Sequence, residues 1–159
     1  MIAVSAVTIA QANEEVNERL TDMIEQYMNV KNALVHNRDD LSAAWAERLE
    51  TTIATTPDDI FDEDDLAEWQ GSRGIIMDAA GAIVDAESRE SQREALNELS
   101  IELRSLIETF GNPGDTLYIL ACSDYDEEND VFWLNDSEQV ANPYHGPENI
   151  NCGRVIGEL

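Results

Sequence analysis

The stretch Ser88–Pro113, SRESQREALNELSIELRSLIETFGNP, decides the fold. Ala95, Leu96, Leu99, Leu103, Leu106, Ile107 and Phe110 recur at three- and four-residue steps. That spacing places them on one side of an α-helix running from about Ser88 to Phe110. Gly111-Asn112-Pro113-Gly114 stops it, because proline cannot continue a helix and glycine favours the turn that ends one. A helix with one apolar stripe and acids on its other faces needs further elements to cover the stripe.

The chain before this stretch supplies them. Leu66, Trp69, Ile76, Ala79, Ala80, Ile83 and Val84 predict a helix over about Asp64–Ala86. Gly71, Gly74 and Gly81 weaken it, each by roughly 1 kcal/mol relative to alanine, and allow a close helix approach or a kink near Gly71-Ser72. Leu41, Ala44, Trp45, Leu49 and Ile53 predict a helix opening at Asp39 or Asp40 and ending in the Thr51–Pro57 run, with the Arg48 stem along the edge of its stripe. Val16, Leu20, Met23, Ile24, Tyr27, Val30, Leu34 and Val35 predict a helix from about Asn13 to His36. Four helices with short connections predict a mainly α fold, an antiparallel up-down four-helix bundle. None carries a Glu-x-x-His pair, so the di-iron signature is missing; His36 reads as a cation set against a helix C-terminus.

Residues 1–12, MIAVSAVTIAQA, are apolar and end in Ala10-Gln11-Ala12. They read as a signal-peptide remnant without its basic start, or as an apolar lead-in. No other apolar run approaches the roughly 18 residues that cross a bilayer, so the mature chain is expected to have no membrane-spanning segment. Residues 13–159 read as one domain.

Beyond Gly114 the period changes. Thr116–Cys122 and Val131–Leu134 are short apolar runs, suited to a hairpin or to extended segments capping the bundle from about residue 115 to residue 159. Asn142–Pro147 is turn-rich, and Val155-Ile156 suits a last extended piece. Trp133 reads as core.

Asp and Glu number 34 against 9 Lys and Arg, for a net charge of −25, and Lys31 is the only lysine. Such a surface repels phosphates, so nucleic acid is not an expected partner. It attracts cations or basic proteins, or it reflects adaptation to high salt. Asp58–Asp65 reads as an exposed linker and an acidic helix start rather than a cation site. In the insert after Cys122, Asp124, Asp126, Glu128 and Asp130 alternate like a calcium loop, but no turn glycine or distal glutamate falls at the required spacing. The insert therefore reads as a solvated hairpin tip, with calcium binding by these four acids the alternative.

No nucleophile elbow, phosphate loop, dinucleotide fingerprint or His-Glu-x-x-His occurs. Cys122 with His145 lacks a third orienting group by motif. A non-enzymatic chain is expected.

The order Leu117-Tyr118, Cys122, Phe132-Trp133-Leu134, Asn142-Pro143-Tyr144, Gly146 and Cys152-Gly153 resembles the bacterial envelope family called domain of unknown function 3347. Tyr27–Leu34 and Gln92–Ser100 are similar to its first and last helices, so the resemblance spans about Leu20 to Val155. It implies a periplasmic or secreted helical bundle with a compact C-terminal cap, of a kind also joined to copper and silver efflux adaptors. The signal-like start, the missing catalytic motifs and the loss of soft ligands at Asp124 and Asn149 predict a structural or interaction module with a protein partner in the cell envelope; a soft-metal-binding protein is the alternative. The family's Cys-Pro-Met and Gly-x-x-Met-x-x-Cys-Gly become Cys122-Ser123-Asp124 and Gly146–Gly153 here, with Asp124 and Asn149 at the methionine positions. The soft ligands left are Cys122, Cys152 and His145, a set for zinc or, less well, copper. In an oxidising envelope the expected state is instead a Cys122–Cys152 disulfide with no cofactor, and the metal set and two free thiols are its alternatives.

Overall fold

The computed structural model describes residues 9–123 and 131–159, with side chains from residue 13 onward. Four helices come first: α1 (Ile9–Val35), α2 (Asp39–Thr55), α3 (Glu63–Val84) and α4 (Arg89–Phe110). Three strands follow: β1 (Tyr118–Cys122), β2 (Val131–Asn135) and β3 (Arg154–Glu158). The fold is mainly α, an antiparallel four-helix bundle carrying a small C-terminal sheet.

Helix ends follow local chemistry. Asp62 caps α3, its carboxylate accepting from the Asp64 and Asp65 amides at 3.1 and 2.9 Å. Ser88 caps α4 in the same way, accepting from Ser91 N at 3.1 Å. α1 closes with Asn37 in the left-handed region, φ 56°. The Arg38 amide then reaches Ala33 O at 2.8 Å and the Asn37 amide reaches Leu34 O at 3.2 Å, the paired bonds of a Schellman ending. α1 spans Ile9–Val35, so it includes four residues ahead of the expected start at Asn13. Ala10, Gln11 and Ala12 are good helix formers and let the helix extend back into the apolar lead-in. Residues 1–8 of that lead-in lie outside the described residues.

α1 packs on α2, α2 on α3 and α3 on α4, whereas α1 and α4 meet along a narrower line. The expected stripes of α1, α3 and α4 face the core. Leu20, Met23, Tyr27, Val30 and Leu34 are buried, as are Trp69, Ile76, Ala80 and Ile83, and Leu96, Leu99, Leu103 and Ile107. α3 runs unbroken through Gly71 and Gly74, and the close approach occurs at Gly81, where an added Cβ would sit 2.8 Å from Glu50 Oε1. α2 differs from expectation. Its buried face is Ser42, Ala46, Leu49, Thr52 and Ile53, while Leu41 is exposed and Trp45 lies at the rim under the Arg48 guanidinium, 4.5 Å from the ring. Small Ser42 and Ala46 let the helices approach, and the large indole gains more from a cation at the edge.

The sheet order is β2-β1-β3, both pairs antiparallel. Of the two readings open for the apolar runs, the hairpin pairing holds, β1 against β2, and the Val155-Ile156 segment adds the third strand, with a register shift opposite Ile119/Leu120. β2 packs against both α1 and α4, so the sheet covers the flank where those two helices are least in contact. Ile119, Leu120, Trp133 and Leu134 join the helical residues in one core.

Candidate functional site

The cap is attached to the bundle by a small set of buried polar side chains. Tyr27, fully buried in α1, exchanges a hydrogen bond with Ser100 Oγ of α4 at 2.7 Å and accepts one from the Leu134 amide of β2 at 3.0 Å. One hydroxyl therefore joins two helices and a strand. Burial pushes its pKa up to about 12, against the opposing pull of those two bonds. One turn on, Lys31 is 2% exposed and its Nζ donates to Asn135 Oδ1 at the end of β2. Burial lowers its pKa to about 8, more than the nearby Asp136 charge restores. Asn135 Nδ2 in turn donates to Ser137 O and Gln139 O.

Tyr144, later in the chain than β2, holds the same strand edge, its hydroxyl donating to Phe132 O. Phe132 and Leu134 are two apart, so their backbone groups point the same way, and each tyrosine bonds one group of the strand edge facing away from β1. Arg93 of α4 ties down the following loop, with Nε to Pro143 O at 2.9 Å and Nη2 to Asn37 Oδ1 at 2.9 Å.

The loop itself is organised by Asn142, fully buried. Its Oδ1 accepts from the Tyr144 and His145 amides at 2.7 and 3.0 Å, and its Nδ2 donates to Cys152 O at 2.8 Å. The Asn142 amide reaches Ile150 O at 2.9 Å, and its carbonyl accepts from Gly146 at 3.0 Å. Gly146 has φ 58°, and an added Cβ would meet Arg93 Nη2 at 2.6 Å and Asn37 Oδ1 at 2.8 Å. Gly153 lies against the Trp133 ring, 2.7 Å from where a Cβ would stand. Asn-Pro-Tyr, Gly146 and Cys-Gly are thus parts of one turn structure.

Cys122 and Cys152 form a disulfide, with a Cα separation of 5.6 Å, across 30 residues of chain. Closing a loop of that length contributes about 3–4 kcal/mol by restricting the unfolded chain. His145 joins them: one ligand-type atom from each of Cys122, His145 and Cys152 lies within 4.8 Å of the others. The expected disulfide is therefore formed, and the three residues of the alternative metal set lie together with their two sulfurs bonded to each other. His36 is exposed and lies outside it. Asp124, Asp126, Glu128 and Asp130, the candidate calcium ligands, lie outside the described residues. Within the Asp58–Asp65 run, Asp62 caps α3 and Asp58 pairs with Arg73 at 3.3 Å.

The family model described as protein of unknown function DUF3347 matches residues 23–115, more than half of the chain. The chain belongs to that family. The match runs from mid-α1 through all the remaining helices and stops just ahead of β1, so Tyr27, Lys31, Arg93 and Ser100 lie inside it while the cysteines and His145 lie beyond it. No curated protein and no solved structure matches the chain. Among the described residues no helix is long and apolar enough to cross a membrane.

The sequence pointed to Cys122, His145 and Cys152. It did not point to the roles of Tyr27, Lys31, Asn135 and Arg93. The one available signal was a lone lysine four residues after a tyrosine on an otherwise apolar helix face.

Proposed function

We propose that this member of the DUF3347 family is a non-catalytic structural or interaction module of the cell envelope, an accessory subunit of a membrane-associated assembly. One observation carries the reading. The side chains with the most chemical versatility are committed to holding the cap on the bundle: Cys122 is bonded to Cys152, and Tyr27, Lys31 and Tyr144 hydrogen-bond into β2. A structural disulfide in a chain of this size fits an oxidising compartment. The surface, at −25, favours a partner with a basic face.

Two measurements test it. Intact cells of the source are quenched in acid and treated with N-ethylmaleimide, and the chain's mass is read before and after reduction. The envelope reading expects adducts only after reduction; two adducts without reductant overturn it. Chemical crosslinking before a native pull-down then tests the assembly. Recovery of the chain alone overturns the subunit reading.

A further inference from the structure

Three ligand-type side chains reach one point from separate segments. Cys122 ends β1, His145 follows the Asn142–Tyr144 turn, and Cys152 precedes β3. Cys122 is buried and the other two are half-buried. We propose that this cluster is a redox-gated site for zinc: the disulfide is its closed state, and the reduced dithiol with His145 is its metal-binding state. This goes beyond the module reading, which needs only the closed state.

The geometry supports opening without loss of the site. Asn142 holds the His145 amide and the Cys152 carbonyl through its side chain, and neither bond involves sulfur. Cys122 is fixed separately, by β1 lying between two partner strands. Breaking the S–S bond therefore leaves all three ligands anchored by hydrogen bonds. In a tetrahedral zinc site with Zn–S of about 2.3 Å, two sulfurs stand about 3.8 Å apart. The Cα atoms of the two cysteines stand 5.6 Å apart, so rotation of the two side chains brings the sulfurs to that spacing. Two thiolates and one imidazole fill three of the four positions and leave one for water. The negative field of the chain concentrates cations around it.

The gating step balances as thiol–disulfide exchange. A thiolate of a dithiol reductant attacks the sulfur of Cys152, the more exposed of the two. The protein S–S bond breaks, and its electron pair leaves on Cys122 as a thiolate. The second thiolate of the reductant then displaces the Cys152 sulfur and closes the reductant's own disulfide. The protein gains two electrons and two protons, and the reductant loses the same. Zinc binding to the two cysteines releases the two thiol protons to solvent.

The test uses the full chain, oxidised or reduced anaerobically with a phosphine. Native mass spectrometry and competition with a chromogenic zinc chelator read metal uptake. Far-UV circular dichroism reads the fold in each state. The proposal expects one zinc per reduced chain, none per oxidised chain, and loss of two titratable thiols on binding. His145→Ala should weaken zinc by about tenfold or more, and Cys122→Ser with Cys152→Ser should abolish uptake while the far-UV spectrum stays helical. Cobalt in place of zinc should give the thiolate charge-transfer band of a tetrahedral sulfur site. No uptake by the reduced chain overturns the proposal, as does unchanged affinity in His145→Ala. A reduced chain that is unfolded and stays unfolded with zinc overturns it too. Uptake of Cu(I) without zinc, read by a Cu(I)-selective chelator, overturns the choice of metal.

Discussion

Lys31 of α1 donates a hydrogen bond from its buried ammonium to Asn135 Oδ1 at the end of β2, 104 residues away in sequence. The only lysine of a chain with 34 carboxylates is thus placed inside, where it holds the sheet, rather than outside, where it would offset surface charge.

This placement predicts an unusual stability profile. The folded Lys31 has a pKa of about 8 against 10.5 for an ordinary lysine. Between those values the unfolded chain keeps a proton that the folded chain has released, so stability rises with pH. Tyr27 acts in the opposite sense at higher pH. Its folded pKa is about 12 against 10.0, so above pH 10 the unfolded chain ionises first and stability falls. Urea midpoints measured from pH 7.5 to 11.5 should peak near pH 10. The Lys31 rise is at most on the order of 3 kcal/mol, from about 1.4 kcal/mol per unit. In Lys31→Met the rise between pH 8 and 10 should vanish.

Tyr27→Phe removes the hydroxyl shared by Ser100 and Leu134. Ser100 keeps its bond to Leu96 O, but the buried Leu134 amide loses its acceptor. Equilibrium unfolding should show a loss of about 1–3 kcal/mol. Amide exchange should accelerate at Leu134 more than in α3, which the hydroxyl does not touch.

Gly146→Ala forces a left-handed residue with a side chain against Arg93 and Asn37. The backbone alone costs about 1–2 kcal/mol, and Arg93 must also leave Pro143 or Asn37. A fall in the urea midpoint together with faster amide exchange at Tyr144 and His145 is expected, since the Asn142 turn shares these contacts.

The net charge predicts salt dependence. At 1 M salt the screening length falls from about 10 Å to about 3 Å, which relieves repulsion among surface carboxylates. The melting temperature should rise between 0.1 M and 1 M NaCl, by about 2–4 °C for each kcal/mol relieved. Calcium at matched ionic strength separates screening from binding: an extra rise would assign a cation to Asp124–Asp130, and an equal melting temperature would dismiss it.

Much of the fold was legible because helical stripes are local. Leu96, Leu99, Leu103 and Ile107 declare a buried face within one turn of each other, and Gly111–Gly114 declares its end. α2 was misread because periodicity counts hydrophobicity, whereas the packed face there is chosen for small size at Ser42 and Ala46. At the candidate site, Cys122, His145 and Cys152 were legible as residue types able to bond one another. Asn142 was legible as a turn former but not as the side chain that holds two of them.

The sequence by itself determined the four helices, the stop at Gly111–Gly114, the extended character of the C-terminal segments and the acidic composition, since each follows from residues a few positions apart. Only the tertiary structure settled the expected cysteine pairing among its alternatives, and it alone decided that β3 pairs with β1 and that the sheet lies over the α1–α4 flank through Tyr27 and Lys31. Those contacts span from 30 to more than 100 residues, and no local period encodes them. They form because a narrow α1–α4 contact leaves apolar surface and buried donors that the sheet alone can cover and satisfy.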